Sequence, residues 1–176
     1  PLELAGFSFG GLVAAHLAAR SAKLPGRIQQ LTLLGPGGHG GQRRPVGELL
    51  PWRDAAAAGN TEALAQVMRH NLAMHMLHGP AADDALALEI HTRACLGTRF
   101  RSKPISRGNS LADALAGFTG PTVMAWGEHD VTADPHTLAL QWTQGHAHRR
   151  AQVVPGAGHW LAYQDPVATH RLIVGP

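Results

Sequence analysis

Gly6-Phe7-Ser8-Phe9-Gly10 is the stretch on which the reading of this chain turns. It joins Leu2–Phe7 (LELAGF), an apolar run that reads as a short buried strand, to Gly10–Ala22 (GGLVAAHLAARSA), an alanine-rich run that reads as a helix. A serine at the tip of so tight a strand-to-helix turn sits in strained backbone. Side chains two residues to either side would collide across the turn, which predicts a need for glycine at both Gly6 and Gly10. The helix that follows aims its first N–H groups at the serine and favours negative charge developing there. Ser8 is therefore a candidate nucleophile, and the backbone N–H of Phe9 a candidate oxyanion donor.

Moving outward, Pro25-Gly26 ends the helix, and Ile28–Leu34 (IQQLTLL) reads as a second strand closed by the glycine-rich Gly35–Gly41. Strand, helix and strand within about 35 residues predict a parallel βαβ unit. From Pro36 to Gly120 the pattern is helical and irregular, with helices expected over Thr61–Leu77, Ala82–Cys95 and Ser110–Ala116. The strand–helix rhythm then returns: Thr122–Trp126, Pro135–Thr143, Ala151–Val154 and Pro166–Ile173. The expected fold class is α/β, a parallel sheet interrupted by one large helical insertion.

A serine hydroxyl is a weak nucleophile and needs a base within about 3 Å, itself oriented by an acid. Asp130 follows one strand in Trp126-Gly127-Glu128-His129-Asp130, and His159 follows another in Gly156-Ala157-Gly158-His159-Trp160. Both stand just past the carboxyl ends of strands, where parallel sheets place their sites. Glu128 and Asp134 are alternative acids.

GFSFGG, WGEHD and GAGHW together resemble the α/β-hydrolase superfamily. LLGPGG at Leu33–Gly38, with Trp160 after the histidine, is similar to the meta-cleavage-product hydrolases and their esterase relatives. The resemblance implies Ser8 as nucleophile, Asp130 as acid and His159 as base, with residues 36–117 as a helical lid. A serine at the elbow argues against the dehalogenase and epoxide-hydrolase branches. In the family the elbow follows the fifth of eight strands, so the resemblance also implies an N-terminally truncated chain showing its last four strands. The loop that supplies a second oxyanion N–H would be missing with the first four. Phe7, Met74, Leu77 and Trp160 are candidates for lining an acyl pocket. Arg93 is the nearest candidate for the arginine that the meta-cleavage enzymes hold near their substrate.

Composition narrows the alternatives. The 176 residues are 44% hydrophobic and 15% charged, the balance of a globular chain. Fifteen basic against twelve acidic residues leave a charge of +3, and aromatics are only 5%, so neither a basic stripe nor stacking residues point to nucleic acid. Arg99, Arg101, Lys103 and Arg107 form the one local cluster; it reads first as a solvated loop face and second as a steering field for anionic substrates. Gly35-Pro36-Gly37-Gly38-His39-Gly40 spells G-x-G-x-x-G, but Pro36 sits inside it and no helix opens after it, which speaks against a dinucleotide site and for a flexible exit into the insertion. The pairs His75/His78 and His146/His148 lack a further ligand for a metal and read as surface or lid histidines. Lone Cys95 reads as a small buried apolar residue, compatible with a reducing compartment, and a cytoplasmic location is favoured. No apolar run is long enough to span a membrane.

The sequence thus predicts a hydrolase of carboxylic esters or similar acyl compounds, acting on a small-molecule substrate without metal or organic cofactor. Hydrolysis of a C–C bond in aromatic-ring meta-cleavage products is the neighbouring alternative, and a non-catalytic, ligand-binding or truncated hydrolase is the third. The isolated chain is expected to expose Leu2–Phe7 as an open edge, to self-associate through it, and to hydrolyse esters barely above background.

Overall fold

The computed structural model describes residues 2–21 and 27–175. Among them four parallel strands form one sheet in the order β1 (Leu2–Phe7), β2 (Ile28–Leu34), β3 (Thr122–Gly127) and β4 (Arg149–Val154). The register runs Leu4 opposite Leu31, Leu31 opposite Thr122, and Met124 opposite Ala151. Helix α1 (Phe9–Ser21) connects β1 to β2; the Pro25-Gly26 stop expected for it lies outside the described residues.

Alternation along the strands sorts side chains between two faces. Leu31, Leu33, Met124 and Trp126 pack with α1, α6 (Leu111–Ala116) and α7 (Pro135–Thr143). Leu34, Val123 and Ala125 pack on the other face with α8 (Leu161–Gln164) and α9 (Pro166–Val174). β3 is buried along its whole length because it has a strand on each side and helices on both faces. A side chain such as Leu31, fully withdrawn from water, contributes about 1.5–3 kcal/mol. Ala15 and Ala18, also fully buried, let α1 lie close against the sheet.

Among the described residues β1 stands at the edge of the sheet, as the open-edge expectation has it, and is not the buried strand its composition suggests. Its residues are exposed or half-buried and Leu2 is 56% exposed, because the strand pairs with β2 alone. β4 begins two residues earlier than its apolar run, at Arg149: Arg150 is exposed, and half-buried Arg149 turns to α6, its Nη2 donating to the Leu115 carbonyl at 2.9 Å.

The insertion between β2 and β3 holds α2 (Arg53–Ala57), α3 (Thr61–His75), a 3₁₀ turn (Gly79–Asp83), α4 (Ala85–Gly97), α5 (Lys103–Ser106) and α6. The helix expected over Ala82–Cys95 is broken at Asp84, which is extended and caps α4 by accepting from the Ala87 N–H at 2.9 Å. A satellite core of Leu72, Leu77, Ala82 and Ala87 joins the insertion to Trp160 and Tyr163 of the sheet domain. Among the described residues no helix is long and apolar enough to cross a membrane.

Candidate active site

Ser8 stands between β1 and α1 with φ 52°, the only positive φ outside glycine among the described residues. Such a φ is costly for a residue with a side chain and persists only where its surroundings enforce it. Here the Ser8 N–H donates to the Leu34 carbonyl at 2.9 Å, and the Ser8 carbonyl accepts from Gly11, Leu12 and Gly37 N–H groups. Gly6 is needed as expected, because a Cβ there would fall 2.5 Å from the Gly10 carbonyl oxygen. Gly10 is not: a Cβ would meet nothing within 4 Å. The second crowded position is Gly11, whose Cβ would lie 3.1 Å from the Gly6 carbonyl oxygen and 3.2 Å from Pro36 Cβ. The helix turns the Gly10 side-chain direction away from the strand, so steric demand passes to the next residue.

The loops after β3 and β4 are interlocked. His129 N–H donates to the Ala157 carbonyl at 2.8 Å and Glu128 N–H to the Val154 carbonyl at 2.9 Å. Asp130 and His159 are thereby buried side by side, 0% and 3% exposed. His159 Nδ1 donates to Asp130 Oδ2 at 2.8 Å, which leaves Nε2 as the acceptor facing Ser8 Oγ at 3.0 Å. Burial alone would raise the Asp130 carboxyl, but the charge and hydrogen bond of His159, with those from Thr132, outweigh it and hold the carboxyl below its usual range.

The alternative acids are engaged elsewhere. Glu128 Oε2 accepts from the Gly156 N–H at 2.9 Å, and Asp134 caps α7 by accepting from the Thr137 N–H at 3.3 Å.

Several supporting residues lie outside the motifs that mark Ser8, Asp130 and His159. Thr132 donates both its N–H and its hydroxyl to Asp130 Oδ1, each at 2.7 Å, and its Oγ1 lies 3.1 Å from His159 Nδ1. The spacing Asp130-Val131-Thr132, an aspartate two residues before a threonine, is the sequence mark of such a turn. Gln164 Oε1 accepts from the Gly158 N–H at 2.7 Å and the His78 N–H at 2.9 Å, while Trp160 N–H donates to the Met76 carbonyl at 2.7 Å. The His159 loop is thus fastened to the insertion on one side and to α8 on the other.

The exit from β2 is not the flexible segment expected. Gly35, Gly37, Gly38 and Gly40 donate their N–H groups to Ala125, Ser8, Ser106 and Gly108 carbonyls at 2.7–3.0 Å. Those groups are therefore closed to a pyrophosphate and to an oxyanion alike. His39 is buried; its Nδ1 accepts from the Gly41 N–H and its Nε2 donates to the Thr132 carbonyl, the neutral form that burial favours by lowering its pKa.

A cavity of about 260 Å³ opens beside Ser8 and His159, and Phe9 lines it at the N-terminus of α1. As the first residue of α1, Phe9 has no acceptor for its N–H within the helix. Its ring stacks on Phe100 at 5.5 Å, while the Phe7 ring lies 5.0 Å from that of His159.

The other pocket candidates are placed elsewhere. Leu77 and Trp160 belong to the satellite core, Met74 stands opposite Gly47, and Arg93 is 80% exposed on α4 and paired with Glu89 at 2.5 Å. None of these four lines the Ser8 cavity, and neither does Phe7, whose ring lies against that of His159 instead. Helical periodicity shows which residues share a face but not which face the chain folds over the serine.

The insertion instead contributes Arg43, His75, Lys103 and Arg107. All four residues of the basic cluster are exposed, as the solvated-face reading has it, but Lys103 and Arg107 also border the cavity. His75 and His78 diverge: His78 stacks on His129 with ring centroids 3.6 Å apart, while the His75 ring turns toward His159 at 5.8 Å. Burial, followed by the neighbouring His159 and Arg43 charges, lowers the His75 pKa to about 4. Cys95 is half-buried rather than buried, with Sγ 3.8 Å from His91 Nε2.

A parallel sheet with a strained serine after β1, and an aspartate–histidine pair past the ends of β3 and β4, points to a class of fold, and comparison of sequence shows that class. The chain belongs to the alpha/beta hydrolase fold family, whose profile matches residues 1–166. Among solved structures it is similar to a meta-cleavage product hydrolase of Pseudomonas fluorescens, with TM-score 0.65 and 20% identity over 98% of this chain and 62% of that one. It is also similar to an esterase of a Rhodococcus species, with TM-score 0.62 and 21% identity over 94% and 61%. A serine hydrolase of Cycloclasticus zankles gives TM-score 0.59 and 19% identity over 97% and 61%. At these identities the likeness is one of fold. The chain spans about three fifths of the length of these structures. No curated protein is similar enough in sequence to match it.

Proposed function

We propose that this chain carries the nucleophile, base and acid of a serine hydrolase that cleaves carboxylic esters or similar acyl compounds through an acyl-serine intermediate. The observation that supports it is the hydrogen-bonded run from Ser8 Oγ through His159 to Asp130, at 3.0 and 2.8 Å. Ser8 Oγ attacks the acyl carbon while His159 Nε2 takes its proton. Asp130 holds the ring in the Nδ1–H form and stabilises the imidazolium, and the Phe9 N–H faces the developing oxyanion. Collapse breaks the acyl–oxygen bond, and the leaving alcohol takes the proton from Nε2. Water then attacks the acyl-serine, gives its proton to Nε2, and Ser8 departs with that proton. The insertion acts as the lid over this space, which the lining contributed by Arg43, His75, Lys103 and Arg107 supports.

The C–C cleavage reading rests on the likeness to the meta-cleavage-product hydrolases; Arg93, its candidate arginine, is exposed and paired with Glu89 and lends it no support. The test is labelling with a neutral fluorophosphonate, which bonds phosphorus to an activated serine oxygen and releases fluoride. Labelling of Ser8, seen by mass spectrometry, is expected; it vanishes in Ser8→Ala and falls about a thousandfold or more in His159→Ala. A folded protein whose Ser8 stays unlabelled would sink the reading.

A further inference from the structure

Three cations border the Ser8 cavity with no anion to answer them. Arg43 comes from the segment after β2, Lys103 opens α5 and Arg107 closes it. Among the described residues none of the three lies within 4.0 Å of a carboxylate. Asp130, the nearby acid, is already committed, with Oδ1 bonded to Thr132 and Oδ2 to His159. Arg43 is half-buried, and its guanidinium is held below its ordinary value first by burial and then by repulsion from Arg107. A guanidinium does not escape by losing its proton, so the two like charges converge on one partly enclosed space. Such an arrangement is unfavourable when empty and is relieved by a bound anion. Ser102 and Ser106 on the same wall carry hydroxyl donors suited to that anion as well.

We propose, resting on the reading of Ser8 as nucleophile, that the substrate is an acyl compound with a free carboxylate a few atoms from the scissile carbonyl, and that Arg43, Lys103 and Arg107 hold that carboxylate. Monoesters of short dicarboxylic acids have this form. The carboxylate anchors the acyl part beside Ser8 and sets the carbonyl between Ser8 Oγ and the Phe9 N–H. A second cavity of about 540 Å³ shares Leu49, His75 and Lys103 with the first and adds Leu50, Pro51 and Trp52. It receives the alcohol part.

The test separates the anion site from the chemistry. Ser8→Ala removes the nucleophile and keeps the cations, and calorimetry compares its binding of monomethyl glutarate with that of the neutral dimethyl ester. The monoanion is expected to bind about tenfold or more tighter, one charge-assisted contact sufficing for that ratio. Adding Lys103→Met and Arg107→Met, both at exposed positions, brings the ratio close to one with the melting temperature unchanged. Monomethyl glutarate is also expected to slow labelling of Ser8 by the neutral fluorophosphonate in the unsubstituted protein. Equal affinity for monoester and diester, an unaltered ratio in the substituted protein, or no saturable binding of either up to about 50 mM would each overturn the proposal. Labelling of Ser8 without an anion preference removes this inference and leaves the hydrolase reading. Anion preference with an inert Ser8 keeps the anion site but overturns the hydrolase reading and, with it, the assignment of a substrate.

Discussion

His75 and His159 face each other with ring centroids 5.8 Å apart and planes inclined by 42°. One of the two completes the hydrogen-bonded run to Ser8; the other is a half-buried neutral ring whose pKa is lowered to about 4 by desolvation. The lowered value carries a consequence for stability. Unfolded, His75 takes its proton near 6.5, while folded it waits until about 4. Between those values the unfolded chain binds a proton that the folded chain refuses, so stability is full above about 6.5 and is lost as pH falls toward about 4. The loss is of order 3 kcal/mol. Urea unfolding at pH 7 and pH 4.5 is expected to show His75→Gln losing about 2 kcal/mol less than the unsubstituted chain over this interval. Parallel losses in both proteins would contradict the assignment.

Thr132 is predicted to be a positioning residue. Thr132→Val deletes the hydroxyl shared by Asp130 and His159 while keeping the backbone bond to Asp130 Oδ1. The expected outcome is about 1–2 kcal/mol of lost stability and fluorophosphonate labelling slowed about tenfold, with Thr132→Ser restoring both. A merely structural role would lower the melting temperature and leave the labelling rate of the folded fraction unchanged.

The two glycines flanking Ser8 are predicted to behave in opposite ways. Gly6→Ala drives a Cβ to 2.5 Å from the Gly10 carbonyl oxygen and should cost about 2–4 kcal/mol. Gly10→Ala meets open space inside a helix and should stabilise the chain by up to about 1 kcal/mol. Thermal melts of the two variants decide the point, and equal destabilisation would mean that the turn is packed otherwise.

β1 offers its outer row of backbone donors and acceptors to any partner strand. The 176-residue chain is expected to self-associate with rising concentration, read by light scattering, and Ala5→Lys at this exposed edge position should shift it toward monomer. A monomer at all concentrations would refute the edge as a docking strand.

How much of this was legible in the sequence follows from the range of the interactions involved. β2 and α7 agree residue for residue with expectation because a local apolar run specifies the one, and a proline at the first helical position, just after the Asp134 cap, the other. Ser8, Asp130 and His159 could be picked out because each stands where a strand stops, and strand ends in a parallel sheet gather at one rim. Arg43 and Lys103 could not be assigned to the cavity. Arg43 lies on a stretch without regular elements between β2 and α2, so no period fixes its direction. Lys103 opens a four-residue helix too short to show an amphipathic face. Arg93 misled for a related reason: it shares a helix with inward residues but projects from the outer side.

The carbonyls of Met76 and His78, both in the insertion, receive the Trp160 N–H and the Gln164 side chain that flank His159. His159 therefore rests partly on a segment outside the sheet that carries it. Exchanging that segment for another would remove the supports of His159 as well as part of the wall of the Ser8 cavity. A chimera that keeps 76–78 from this chain should retain a reactive Ser8, whereas one that replaces them should lose it even with Ser8, Asp130 and His159 in place.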